Sequence, residues 1–162
     1  MTQLVIDKPK ALVIHCSDSR FQKAFRDFIQ NNLGLNDGEF VPIIVPGSIA
    51  PLGGDISILL PKKQKALLDN IKLIFEKNQG EPIRLILINH EDCKGYEKIS
   101  AKIRKYLAKL PDALEREVND LALAAKVIHI AANHFKVKCR PELYFARIGE
   151  GNEVVFDKYV FE

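Results

Sequence analysis

Leu12-Val13-Ile14-His15-Cys16-Ser17-Asp18-Ser19-Arg20 decides how this chain folds. Leu12, Val13 and Ile14 make a short apolar run that reads as a buried strand. Polar residues follow at once, and Phe21, Phe25, Phe28 and Ile29 then recur at helical spacing. The spacing predicts an amphipathic helix over 19–33, ending at Gly34. A strand that feeds straight into a helix places Cys16, Asp18 and Arg20 at its carboxyl end. In an open α/β sheet, that is where ligands bind.

A second stretch has the same form. Arg84-Leu85-Ile86-Leu87-Ile88-Asn89 is an apolar run with Pro82 before it and His90-Glu91-Asp92-Cys93 after it. His90 and Cys93 therefore follow the end of another predicted buried strand. If the two strands neighbour each other in one parallel sheet, Cys16, His90 and Cys93 converge. Two thiolates and an imidazole are a recognised catalytic zinc set, with a fourth position left for water. Thiolate softness favours zinc over magnesium or calcium. Taken singly, each residue also has a plain reading as a buried Cys or core His. A purely structural zinc would call for four protein ligands, and no fourth Cys or His stands nearby.

Cys16-Ser17-Asp18-Ser19-Arg20 together with His90-x-x-Cys93 resembles the β-class carbonic anhydrases. The order of elements is similar too: strand, helix, strand, long helix, strand, metal motif, helices and a C-terminal strand pair. The resemblance covers the whole chain in outline, but only the two motifs match residue for residue. It implies that Cys16, His90 and Cys93 bind zinc and that Asp18 and Arg20 form a catalytic dyad beside it. Arg20 would hold Asp18 by a bidentate pair; without it, Asp18 could swing in as a fourth ligand. The implied reaction is the reversible hydration of CO2 to bicarbonate by a zinc-bound hydroxide, in a homodimer or higher homo-oligomer. Two other readings share the scaffold. One is a zinc hydrolase acting on a related small molecule such as carbonyl sulfide or carbon disulfide; the other is a non-catalytic zinc-binding relative.

The sequence departs from the family pattern at several places. The two metal motifs lie about 70 residues apart, with the surplus around 46–62. Val45-Pro46-Gly47-Ser48 stands near the place of an Arg-Asn-Ala-Gly-Asn-type segment, and Lys94 occupies the position of the Gly that usually follows the second Cys. The first strand begins by about residue 11, without the N-terminal helices that β-class enzymes wrap around a partner.

Length fits one domain spanning 1–162, and the order of elements with the resemblance implies an α/β fold: a mostly parallel central sheet flanked by helices, closed by a C-terminal strand pair. The 162 residues suffice for a substantial core, and 47% hydrophobic with 28% charged residues is ordinary for a globular protein. A net charge of +3 is mild, and the Lys residues are spread over 62–78 and 94–109, so they read as solvated faces; no nucleic-acid partner is expected. No run approaches the roughly 20 apolar residues of a membrane span. The N-terminus lacks the apolar core of a signal peptide. Three Cys residues, two of them in metal-type contexts, argue against a disulfide scaffold and for a reducing, cytoplasmic setting.

Further elements follow from periodicity. Phe40–Val45 reads as a strand that Pro42 assigns to an edge. Pro46–Gly54 reads as a loop, either a pocket wall or a plain connector. Residues 62–78 form a helix through Ala66, Leu67, Ile71, Ile74 and Phe75. Tyr96, Ile99, Ile103 and Leu107 stripe a helix closed by Pro111, and Leu114, Val118, Leu121, Ala125, Ile128 and Ala132 stripe another over 112–134. Leu143–Ile148 and Val154–Phe156 form a hairpin around Gly149–Asn152.

Several polar residues have ordinary roles. His15 faces away from Cys16 by strand alternation and reads as a satisfied core histidine. His129 and His134 read as surface or capping residues. Cys139 reads as structural, although Lys138 and Arg140 could lower its pKa. Asp18 also has a plain reading as a helix cap. Only Ser17, Asp18 and Ser19 separate Cys16 from Arg20, too few for the phosphate-cradling loop of a Cys-dependent phosphatase.

Overall fold

The computed structural model describes residues 8–54, 60–103 and 113–160. Five strands form one sheet in the order β2-β1-β3-β4-β5. They are β1 (Ala11–Cys16), β2 (Phe40–Val45), β3 (Pro82–His90), β4 (Lys138–Ile148) and β5 (Val154–Tyr159). The first four run parallel, and β5 closes the sheet antiparallel to β4. The expected mostly parallel sheet with its C-terminal strand pair is thus observed.

β1 and β3 lie at the centre, which explains why both read as continuous apolar runs: their side chains are covered on both faces. Every residue of β1 is buried. Pro42 sits on the edge strand, where its missing N–H removes least. One face carries α1 (Gln22–Asp27) through Phe21, Phe25, Phe28 and Ile29. The other carries α2 (Pro61–Lys77), α3 (Lys94–Ile103) and α4 (Ala113–His134) through Leu67, Ile71, Phe75, Tyr96, Leu121 and Ile128. The chain thus leaves β1 toward one edge of the sheet and returns at β3 toward the other. The junction between β1 and β3 is a topological switch point, where a crevice opens beyond the carboxyl ends of the strands.

Several boundaries differ from the sequence reading. α1 begins at Gln22 rather than near Ser19, because the Asp18 carboxylate takes the N–H of Arg20 at 3.0 Å and closes an Asx turn first. Its last turn, Phe28–Asn32, is a π-helix. β4 starts at Lys138, before Pro141. β5 pairs with β4 only from Leu143 onward, so Pro141 stands where β4 still has a free edge. Of the expected helical stripes, Leu107 and Pro111, and the side chains of Ile103 and Leu114, lie outside the described residues. So do part of the 46–62 surplus and the residues before Lys8. No helix among the described residues is long and apolar enough to cross a membrane.

Candidate metal centre

Cys16 is the last residue of β1 and His90 the last of β3, which runs one residue beyond the strand end expected at Asn89. Cys93 follows after a short turn. β1 and β3 are adjacent, and their ladder runs up to His15 opposite Ile88. The three candidate ligands therefore meet at the switch point. Their donor atoms all lie within 4.8 Å of one another, and all three residues are buried.

The donor set fits a tetrahedral soft cation. Two sulfurs each about 2.3 Å from one tetrahedral zinc stand about 3.8 Å apart; the Sγ atoms of Cys16 and Cys93 are 3.7 Å apart. His90 supports the same fit. Its Nδ1 lies 2.8 Å from the carbonyl oxygen of Glu91, and since a carbonyl only accepts, Nδ1 must carry the proton. Nε2 is then a lone-pair donor, and it is buried without a hydrogen-bond partner. Such an orphaned atom is costly unless something binds it. The ring is held in place by Phe21, whose centroid is 4.2 Å away.

The two thiols shift each other in opposite directions. The hydrogen bond with Cys93 holds the Cys16 thiol well below the ordinary thiol range; burial opposes this, and the adjoining His90 side chain with the backbone N–H groups of Gly47 and Asp18 reinforces it. The same contact, together with burial, pushes the Cys93 thiol up. A second thiolate here needs a cation to compensate it, as metal binding with proton release provides.

Asp18 and Arg20 stand beside this cluster as a tight pair. Arg20 Nη2 donates to Asp18 Oδ2 at 2.7 Å, and Nε donates to both carboxylate oxygens at 3.1 and 3.2 Å. These bonds, outweighing partial burial, hold the Asp18 carboxyl below the usual range, so it is an ionised acceptor at neutral pH. Asp18 is not a helix cap through its side chain. A cleft of about 540 Å³ opens over the pair and over Cys16, walled by Pro46, Gly95 and Lys98.

The Pro46–Gly54 loop proves to be a wall of the site. Gly47 donates its N–H to Cys16 Sγ at 3.4 Å, and Ser48 Oγ donates to the Ile88 carbonyl at 3.0 Å. Gly47 and Ser48 both have positive φ. Gly95 packs so closely under this turn that a Cβ there would come within 2.4 Å of the Gly47 nitrogen. Sequence reasoning offered Gly47 only as part of a possible pocket wall, and missed Gly95, Phe21 and Asp92 as site residues. The only signals were a glycine beside the metal motif and a Phe at the start of the helical stripe.

His15, His134 and Cys139 keep ordinary roles. His15 faces the α1 side, its ring 4.8 Å from that of Phe25 and its Nδ1 bonded to the Cys16 carbonyl. Burial lowers its pKa, so it is a neutral core residue. His134 is exposed at the last turn of α4, against Phe135. Burial pushes the Cys139 thiol up to about 12, against any activation by Lys138 and Arg140.

No protein-family model matches the sequence, and no curated protein matches it. Among solved structures, the chain is similar to a β-carbonic anhydrase, isoform I, of Trichomonas vaginalis: 17% identity, TM-score 0.48, covering 96% of this chain and 86% of that one. It is also similar to one of two tetrameric β-carbonic anhydrases of Sordaria macrospora: 14% identity, TM-score 0.41, covering 95% of this chain and 84% of that one. At such values the geometry of the site, rather than the likeness, decides what chemistry it can do.

Proposed function

We propose that the chain is a zinc-dependent carbonate dehydratase that interconverts CO2 and bicarbonate. The observation that carries this reading is the convergence of Cys16, His90 and Cys93, with the lone pair of His90 Nε2 directed nowhere else. Three protein donors converge there among the described residues, and three rather than four is the pattern of a catalytic zinc. Bound there, zinc would act as a Lewis acid that brings the pKa of water far below its bulk value of about 15.7.

The chain's own residues supply the rest. The Asp18 carboxylate accepts a hydrogen bond from the reacting water and so turns a lone pair toward the carbon of CO2. Arg20 fixes the carboxylate plane and keeps it ionised. Pro46 and Gly95 give the cleft an uncharged wall suited to a small neutral substrate, and Lys98 on the lining places a cation on the route by which an anionic product departs.

The test couples metal content to stopped-flow CO2 hydration on one preparation. About one zinc per chain, with zinc and hydration both lost in Cys93→Ser, is the expected result. Zinc without hydration would shift the reading to carbonyl sulfide, carbon disulfide or a non-catalytic role. A reduced, chelator-free protein without zinc would overturn it.

A further inference from the structure

Arg20 grips more than Asp18. Its Nη1 donates to Asp92 Oδ2 at 2.7 Å, and its Nη2 donates to the Asp92 backbone carbonyl at 2.9 Å. Asp92 lies in the turn between His90 and Cys93, with φ of 55°, in the left-handed region where Asp and Asn are the best-tolerated side chains apart from glycine. Its other oxygen, Oδ1, accepts from Lys94 Nζ at 3.0 Å. One guanidinium is thus strung between the turn that follows Cys16 and the turn that carries the other two ligands.

The planar fork of an arginine has little freedom once two of its edges are occupied. With only Asp18 to hold, Arg20 and its carboxylate could move as a unit, since Arg20 is 46% exposed at its side chain. The second grip ties that unit to the opposite turn. We propose that Asp92 is a positioning residue of the metal centre: by gripping Arg20 it fixes the guanidinium between the two turns, and so keeps the Asp18 carboxylate engaged instead of free to become a metal ligand. This rests on the zinc reading above.

The probe is thiocyanate binding to the cobalt(II)-substituted protein, followed by visible absorption. Asp92→Asn keeps the left-handed turn and removes the charge; Asp92→Gly suits the same backbone and removes the side chain. In both, Asp18 competes for the metal, so thiocyanate affinity falls about tenfold or more, the scale on which partners of metal ligands act. The cobalt bands change with it. Adding Asp18→Ala to Asp92→Asn returns affinity and spectrum to those of Asp18→Ala alone. Unchanged thiocyanate affinity in Asp92→Asn and Asp92→Gly overturns the inference, and so does a defect that persists in the double variant. If the unmodified protein takes up no cobalt, it is the zinc reading that fails, and this inference falls with it.

Discussion

Two arginines grip carboxylates at opposite ends of the sheet, and they do different things. Arg84, near the start of β3, holds Glu142 on β4 through Nε at 2.6 Å and Nη2 at 3.1 Å. The ladder pairs Arg84 with Arg140 and Ile86 with Glu142, so this contact spans two strands that the backbone already fixes. Arg20 sits past the end of the β1–β3 ladder, which stops at His15 and Ile88. It bridges turns that no ladder aligns. The same bidentate chemistry therefore reinforces a scaffold at one end and sets the geometry of a site at the other.

The largest expected contrast is in activity. Asp18→Ala should retain zinc but lose about 100-fold or more in CO2 hydration, within the range for a positioned proton acceptor. Arg84→Ala should leave hydration within about twofold. Stopped-flow rates and zinc content of both variants check this, and equal losses would erase the distinction between the two arginine–carboxylate pairs.

The site end is also held by close packing, which Gly95→Ala would sharpen. The new methyl would collide with the Gly47 turn. Overpacking of this kind costs about 1–3 kcal/mol, so a denaturant titration should show a clear loss, along with weaker zinc retention as the N–H donor to Cys16 is displaced. A variant as stable as the parent would mean that the turn is free to shift.

The smallest effect belongs to the scaffold pair. Burial tends to raise the Glu142 pKa, but Arg84's hydrogen bonds and charge, with the Tyr144 hydroxyl, prevail and place it below the ordinary value. A depressed carboxylate stabilises the fold above its unfolded pKa of about 4.3, and that contribution disappears as pH falls through the lower folded value. Glu142→Gln should cost about 1 kcal/mol at neutral pH. The difference in stability from the parent should shrink in acid; a gap that does not vary with pH would contradict the pairing.

The candidate ligands were legible in the sequence because each stands at or just past the end of an apolar run. Leu12–Ile14 and Arg84–Asn89 could only be buried strands, so Cys16, His90 and Cys93 had to emerge at their ends. Asp92 and Gly95 were not legible, because their roles exist only once two turns distant in sequence face each other. The start of α1 was misplaced for a local reason: Asp18 spends its carboxylate on Arg20's N–H, which delays the helix. Pro141 hid nearly half of β4, since a proline is tolerated in a strand only where one side is unpaired, and that depends on where β5 pairs with it.

Cys16 and Cys93 touch across 77 positions of sequence. In a zinc finger, closely spaced ligands let the ion organise an otherwise unfolded chain. Here His90 and Cys93 offer only half a chelate until β1 has paired with β3, a long-range step whose loop closure comes late. The metal would therefore act as a latch on a sheet that has already assembled. Folding would proceed first and loading second, with the ion entering a finished crevice.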